Sequence, residues 1–329
     1  MSESLTLASG KFAAWNNAAA GQDARGVAIT GASGWIGRAM TAAVLAATPA
    51  GHTPIVRLFG SAHRAMEIGG RPLSVEILGA GPPLDPQVEW LVVHLSVAGA
   101  DRETDPERLR ALNDAMLRQA FALAEGEAVV RRFVAASSGA VHQLGHGASE
   151  KGSPGKQAYA RLKADHEQMA REWARRTGTP LLIPRIFNVG GPYMNHADRY
   201  ALGSFVTQAL DTGAIEIAAT RPVIRSYVHV LELARVLLEL SASDDPDILL
   251  ETRGTAAVEM GELADAVAQA LGKPLQIRRP PMTSDDEDRY LGDGTLYQAT
   301  LTRMGSEPVA LGKIIRDTAG WLRPGHIRL

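Results

Sequence analysis

The chain of 329 residues predicts a doubly wound parallel α/β sheet with a smaller C-terminal lobe. Three observations carry that prediction. Residues 27–37, Val-Ala-Ile-Thr-Gly-Ala-Ser-Gly-Trp-Ile-Gly, run an apolar strand into three glycines and then into an alanine-rich helical pattern. Further continuous apolar runs alternate with helical patterns, as parallel strands buried on both faces do. Small residues and glycines sit where these strands end, which is where open α/β sheets take their ligands.

Taken in order, residues 1–25 read as a loosely attached helix or arm that packs Phe12 and Trp15. They lack a basic n-region and a continuous apolar stretch, so no signal peptide is read. In the first strand–helix turn, Gly31 turns the chain without a Cβ penalty and Gly34 lets backbone approach a diphosphate. Gly37 lets helix and strand pack closely. About one residue in ten is glycine, so the spacing alone is weak; the strand before and helix after make it a dinucleotide-binding signal. Phosphates would meet the free N–H groups of the helix's first turn. The alternative is a tight turn with no ligand.

Thr53–Phe59 is the second predicted strand. A carboxylate at its end would hold the ribose hydroxyls of NAD, but Leu58, Phe59 and Gly60 stand there, with Arg57, Ser61, His63 and Arg64 around the turn. A guanidinium at Arg57 or Arg64 would pair with a 2′-phosphate, favouring NADP(H) over NAD(H); the alternative is two ordinary solvated charges. Ser74–Leu78 predicts a short third strand and Glu89–Ser96 a buried fourth. A long helix follows over about Pro106–Glu125, carrying Asn113, and then a strand over Arg132–Ser137. Beyond it come a helix over about Gly155–Arg176 and a strand over Pro180–Phe187. After the loop Asn188-Val-Gly-Gly-Pro192, helices are expected over about Leu202–Thr212, Leu231–Leu240 and Met260–Leu271. A short strand is expected over Ile215–Ala218, and residues 276–289 read as a polar, Pro-rich connector. Trp90, Trp173 and Trp321 read as core, and Asp285-Asp-Glu-Asp288 as a solvated acidic loop. The domain reading is an arm (1–25), a dinucleotide-binding core (26–190), and a mixed region (191–329) holding the remaining core elements and a substrate-binding lobe.

Composition narrows the function classes. Lys and Arg total 34 against 36 Asp and Glu, so no basic surface for nucleic acid is indicated. No apolar run approaches the roughly 20 residues of a membrane span. The absence of cysteine excludes disulfides and thiolate chemistry and fits a reducing, cytoplasmic compartment. His142 and His146 lack a third ligand, so no metal is expected.

Chemistry concentrates on Tyr159 and Lys163, four apart and so on one helix face. A tyrosine with a pKa of about 10 exchanges protons poorly near neutrality, and a neighbouring ammonium lowers that value. Such a pair is also common on solvated helices. Ser138, upstream at a strand's carboxyl end, adds a hydroxyl that can bind a reacting oxygen.

The run Thr30-Gly-Ala-Ser-Gly-Trp-Ile-Gly37, with His94-Leu-Ser, Asn113, Ser137-Ser-Gly-Ala-Val141, Glu150, Tyr159-x-x-x-Lys163, Arg185-Ile-Phe-Asn-Val-Gly-Gly-Pro192 and Arg225-Ser-Tyr-Val-His-Val230, resembles the extended short-chain dehydrogenase/reductase family. These are NAD(P)-dependent nucleotide-sugar epimerases, dehydratases and reductases with a Rossmann-type fold. The resemblance covers about residues 26–325. It implies Ser138 and Tyr159 as catalytic residues, with Lys163 activating Tyr159 and holding the nicotinamide ribose. It also implies a cofactor site of Gly31, Ser33, Gly34, Trp35, Ile36, Gly37, Leu95, Ser96 and Asn113. Asn188 and Arg225 match positions that hold the nucleotide diphosphate of the sugar, with a structural ion pair as the alternative for Arg225. The partners implied are a nucleotide sugar and a second copy of the chain, paired through the two long helices. The acid/base pair of the family's 4,6-dehydratases is missing, because Gly139 and Ala140 stand in its place. A histidine, His142, replaces the usual tyrosine. The loop Pro192–Tyr200, with Ala-Leu-Gly-Ser-Phe205 after it, most resembles reductases and epimerases acting on nucleotide-linked 6-deoxy-4-keto sugars. The missing carboxylate after the second strand leans toward NADP and net reduction, so the expected activity is 4-ketoreduction of such a sugar. A 4-epimerase with tightly held NAD is the near rival, and a non-catalytic dinucleotide sensor the rival of another class.

Overall fold

The computed structural model describes residues 10–17, 24–48, 54–99, 101–145 and 154–323. Expectations touching His146, Glu150 and residues 1–9 lie outside the described residues. The chain divides into two compact units, 1–185 with 234–250 and 186–233 with 251–329.

The first unit opens with α1 (Lys11–Asn17), β1 (Ala24–Thr30), α2 (Trp35–Ala47) and β2 (Ile55–Gly60). A hairpin of β3 (Arg64–Ile68) and β4 (Arg71–Ile77) precedes β5 (Val88–His94) and α3 (Pro106–Ala124). Then come β6 (Val129–Ala135), the two-residue β7 (Ser137–Ser138), α4 (Pro154–Thr177) and β8 (Leu181–Ile186). The second unit begins with β9 (Asn188–Gly190), α5 (Ala201–Asp211), β10 (Ala214–Glu216), β11 (Val223–Arg225) and β12 (Tyr227–His229). Through α6 (Val230–Ser241) the chain returns to the first unit for β13 (Asp247–Glu251). The second unit is completed by β14 (Val258–Glu259), α7 (Met260–Leu271), β15 (Gln276–Arg278), β16 (Asp288–Tyr290), α8 (Thr295–Arg303) and α9 (Leu311–Leu322).

The large sheet of the first unit runs β13-β8-β6-β5-β1-β2-β4-β3. β1 pairs in parallel with β2, Thr30 opposite Phe59, and with β5, Thr30 opposite His94. Strand order therefore reverses between β1 and β5, and the carboxyl ends of these two strands flank the switch-point crevice. Val27 to Thr30 and Trp90 to His94 are buried without alternation, because helices cover both faces of a parallel sheet. Phe121 of α3 stacks on Trp173 of α4, with centroids 4.9 Å apart and planes 5° apart, and both rings meet Phe133 of β6.

Three sequence expectations change. The turn expected around Arg64 is the start of β3, which pairs antiparallel with β4 through Gly69-Gly70 at φ +58° and +77°. Two successive positive φ angles match the tight hairpin turn that twists with its strands. The connector expected over residues 276–289 contains β15, paired with β10, and β16, paired with β11. Within the arm, residues 10–17 are docked rather than loose: Phe12 and Trp15 are buried, Glu239 accepts the N–H groups of Lys11 and Phe12 at 2.9 and 3.1 Å, and Trp15 Nε1 donates to Glu89 at 2.6 Å.

In the second unit, β9 pairs with β12 and β11 lies between β14 and β16. Helices α5, α7 and α9 pack on one another. α7 is started by a capping box of Glu259 and Glu262 and stopped by Gly272 at φ +63°, as reciprocal side-chain caps and a left-handed glycine do.

Candidate active site

The turn after β1 has the geometry of a dinucleotide cradle. Gly31 takes φ +71°, and a Cβ there would lie 2.9 Å from the backbone of Leu95 and Ser96. A Cβ on Gly37 would collide with the Gly31 carbonyl and Ala32. These two glycines thus let α2 and the end of β5 close on the turn. Gly34 is the N-cap of α2 and supplies no side-chain cap to the first-turn N–H groups. The dipole of the helix adds to their pull on an anion. These residues fit the diphosphate of a dinucleotide. Ser33 accepts from Arg38 Nε at its carbonyl, 3.1 Å away, and its hydroxyl lies beside the end of β2 at Gly60.

The loop after β5 is fixed from two sides. Leu95 N donates to the Thr30 carbonyl at 3.2 Å, and Ser96 Oγ to Thr30 Oγ1 at 3.1 Å. Asn113 is buried, accepts from Ala98 N at 2.9 Å and donates to the carbonyls of Ala98 and Leu109. Its amide groups are thereby spent on shaping the loop. His94 Nδ1 lies 2.8 Å from Thr30 Oγ1. Burial first, then the positive charges of Lys163 and His166, push the imidazole down to about 3, so it is neutral at physiological pH.

Arg57 does not stand as a free cation. Glu76, beside Phe59 on the neighbouring strand, accepts its Nε at 3.0 Å and its Nη2 at 2.6 Å. Nη1 donates to the carbonyls of Pro82 and Pro83. The partner of Arg57 is thus a carboxylate on β4. Arg64 is exposed at the start of β3, and exposed Arg102 reaches Ser61 Oγ at 3.0 Å. Arg102 is a residue that sequence reasoning missed, because only the fold brings it to the end of β2.

Ser138, Tyr159 and Lys163 all belong to the first unit, on β7 and on α4, which packs against β7. Ser137 turns to Glu167, its Oγ donating at 2.7 Å. Ser138 Oγ accepts from Ala140 N at 3.2 Å. Glu167 also accepts Arg185 Nε and Nη2 at 2.8 and 2.9 Å. Burial works to raise its pKa, but the hydrogen bonds of Arg185 and Ser137 and the charge of Arg171 outweigh it and hold the group lowered, as a carboxylate. Lys163 is buried and donates to the Ala136 carbonyl at 2.9 Å. Burial pushes its ammonium down to about 8, against the pull of the Glu167 carboxylate. Tyr159, one turn earlier on the same face, keeps 39 % of its surface exposed. A buried cation under an accessible phenol is an arrangement suited to proton exchange.

In the second unit, Asn188 opens β9 and donates from Nδ2 to the Ser226 carbonyl at 3.2 Å. Arg225 ends β11, ion-paired with Asp288 at 3.2 Å and lying over the Tyr290 ring at 5.6 Å. The last member of the acidic run is therefore a partner of Arg225 and Arg221 rather than a purely solvated charge.

Comparison with known proteins agrees with this geometry. The profile described as "NAD dependent epimerase/dehydratase family" matches residues 27–249. UDP-glucuronic acid decarboxylase 5 of Arabidopsis thaliana is 28% identical over 142 residues, 43% of this chain and 40% of the relative. The chain thus aligns with about two fifths of that protein's length. Among solved structures, a UDP-N-acetylglucosamine 4-epimerase from Methanobrevibacter ruminantium in complex with UDP-N-acetylmuramic acid superposes with a TM-score of 0.66 at 16% identity, covering 91% of this chain and 98% of that one. RMD from Pseudomonas aeruginosa complexed with NADPH gives 0.64 at 18% identity, covering 90% and 98%. A UDP-glucose 4-epimerase of Thermus thermophilus complexed with NAD gives 0.62 at 20% identity, covering 91% and 99%. The match over most of the sheet, the dinucleotide cradle and the Ser138, Tyr159 and Lys163 motif residues lead to one conclusion: the chain belongs to the NAD dependent epimerase/dehydratase family, enzymes of the extended short-chain dehydrogenase/reductase type.

Proposed function

We propose that the protein is a nucleotide-sugar 4-ketoreductase, acting on a nucleotide-linked 4-keto-6-deoxy sugar with NADPH. The observation that carries the reading is the chemistry at the end of β7. Ser138, Tyr159 and Lys163 are present, while Gly139 and Ala140 offer no carboxylate for removing water from a sugar. The nicotinamide, when bound, supplies the hydride. As negative charge develops on the C4 oxygen, Tyr159 delivers its phenolic proton to that oxygen and Ser138 Oγ donates a second hydrogen bond. The Lys163 ammonium then stabilises the phenolate until it is reprotonated. Asn188 and Arg225 are the proposed ligands of the nucleotide diphosphate, with Asp288 orienting the guanidinium. Asn113 serves the cofactor indirectly, through the loop at Ala98 that it fixes.

Preference for NADP(H) is part of the proposal. With Arg57 neutralised by Glu76, the groups favoured for the 2′-phosphate are Arg64 and Arg102, beside Ser61. A homodimer through α3 and α4 is likewise proposed, as both helices are long and the exposed face of α3 carries Leu112 at 39 % exposure.

The test is incubation with NADPH or NADH and a panel of nucleotide 4-keto-6-deoxy sugars, followed by nicotinamide absorbance and product analysis. Stoichiometric NADPH consumption with formation of a 4-hydroxy sugar is expected. Conversion between 4-epimers without net cofactor consumption would establish the epimerase reading instead. Cofactor binding without conversion of any nucleotide sugar would favour the dinucleotide sensor.

A further inference from the structure

The loop that follows β9 is held in an unusual backbone conformation by one face of α9. Gly191 takes φ +113°, and two residues with side chains also enter the left-handed region, Tyr193 at +67° and His196 at +49°. Such angles cost free energy in L-residues and persist only where the surroundings enforce them. At Gly191 and Tyr193 the surroundings are Thr318 and Trp321, which with Asp317 lie on one side of α9. Thr318 Oγ1 accepts the buried N–H of Gly191 at 2.7 Å and donates to the Ile314 carbonyl at 2.8 Å. Trp321 Nε1 donates to the Met194 carbonyl at 3.0 Å, and its ring meets Tyr193 edge-on with centroids 5.1 Å apart.

Asp317 secures the neighbouring strand. It lies 3.1 Å from Nε2 of His229, whose Nδ1 accepts the N–H of Leu231 at 3.2 Å. With Nδ1 accepting, the proton on Nε2 faces the carboxylate. His229 stands opposite Gly190 in the β9–β12 pair, and Asn188 stands opposite Tyr227 in the same pair. There is no slack in this packing. A Cβ on Gly190 would strike Ile314 and Leu202, and one on Gly191 would come within 3.0 Å of His229 Nε2.

We propose that α9 positions the nucleoside-diphosphate end of the substrate: Thr318 and Trp321, acting on residues 191–194, and Asp317, acting through His229 of β12, hold the segment 188–194 ready for a pyrophosphate. The inference rests on the reading of Asn188 and Arg225 as diphosphate ligands. Its physical content is preorganisation. A loop free to relax from these angles occupies the receptive conformation for only a fraction of the time, and apparent affinity falls by that fraction.

The experiment uses the full chain. Titration calorimetry measures UDP, dTDP and GDP binding, fluorescence measures NADPH binding, and amide hydrogen exchange follows residues 189–194. Thr318→Val removes the acceptor of the Gly191 N–H, Trp321→Phe removes the indole donor while keeping an aromatic ring, and Thr318→Ser restores the hydroxyl. Expected for Thr318→Val and Trp321→Phe are roughly tenfold weaker binding of the diphosphate that the wild type prefers, faster exchange confined to the loop, and an unchanged NADPH affinity. Thr318→Ser should recover the wild-type values, which separates positioning from a general loss of fold. Unchanged diphosphate affinity in both weakened variants, whether or not exchange quickens, would overturn the proposal while leaving the substrate reading intact. A wild-type protein that binds NADPH but none of the three diphosphates would overturn the substrate reading itself, and the proposal with it.

Discussion

Replacing Lys163 by methionine should make the protein more stable at neutral pH while abolishing turnover. The ammonium is buried and shifted from 10.5 to about 8, and at 1.36 kcal/mol per pH unit this amounts to about 3 kcal/mol against the folded state. The direction in pH follows from linkage. Below about pH 8 the lysine is charged in both states, so the full penalty acts. As pH rises from about 8 toward 10.5 the folded lysine is already neutral while the unfolded one still binds a proton, so wild-type stability climbs. Methionine is similar in volume and has no charge to desolvate, but it leaves the Ala136 carbonyl without its donor, a cost of about 1–2 kcal/mol. The net gain expected at pH 7 is about 1–2 kcal/mol, seen in urea denaturation as a higher midpoint at constant slope. At pH 10 the difference should move by about 2–3 kcal/mol in favour of wild type, so that the advantage of Lys163→Met disappears or reverses. A variant less stable than wild type at pH 7, or a difference that does not change with pH, would refute the reasoning. Both results would mean that the ammonium is held by its surroundings and not strained by burial.

Other outcomes follow from single contacts. Tyr159→Phe should lower kcat on a confirmed substrate by about 10²–10⁴ with NADPH affinity preserved, and Ser138→Ala by about 10²–10³; near-wild-type turnover of the first would turn attention to His142. Glu76→Gln should free Arg57 and tighten NADPH relative to NADH by roughly three- to tenfold in calorimetry, and an unchanged ratio would leave Arg64 and Arg102 as the 2′-phosphate ligands. Glu239→Ala removes the acceptor for Lys11 N and Phe12 N and should cost about 1–2 kcal/mol, read as a lower Tm. Leu112→Asp on α3 should convert a dimer to a monomer in light scattering without lowering Tm; a wild-type monomer at micromolar concentration would dispose of the dimer.

What the sequence determined by itself was local. The turn at Gly31, Gly34 and Gly37 is legible because sterics over a few residues dictate it, and a Cβ at 31 or 37 has no room. The parallel strands are legible because burial on both faces leaves unbroken apolar runs such as 90–93. The shared helix face of Tyr159 and Lys163 follows from helical pitch. The tertiary structure decided whatever depends on partners far along the chain. Glu76 finds Arg57 only because β4 lies beside β2, and Arg102 meets Ser61 across 41 positions. Glu239 caps α1 from more than 220 residues away. Asp288 reads as solvent-facing charge until β16 pairs with β11 and brings it to Arg225. The strain at Tyr193 and the hydroxyl of Thr318 that holds its loop leave no periodic trace in the sequence. Each contact is a pairing of polar groups between elements, and hydrophobic period constrains which face is buried but not which hydrogen-bonding partner waits there.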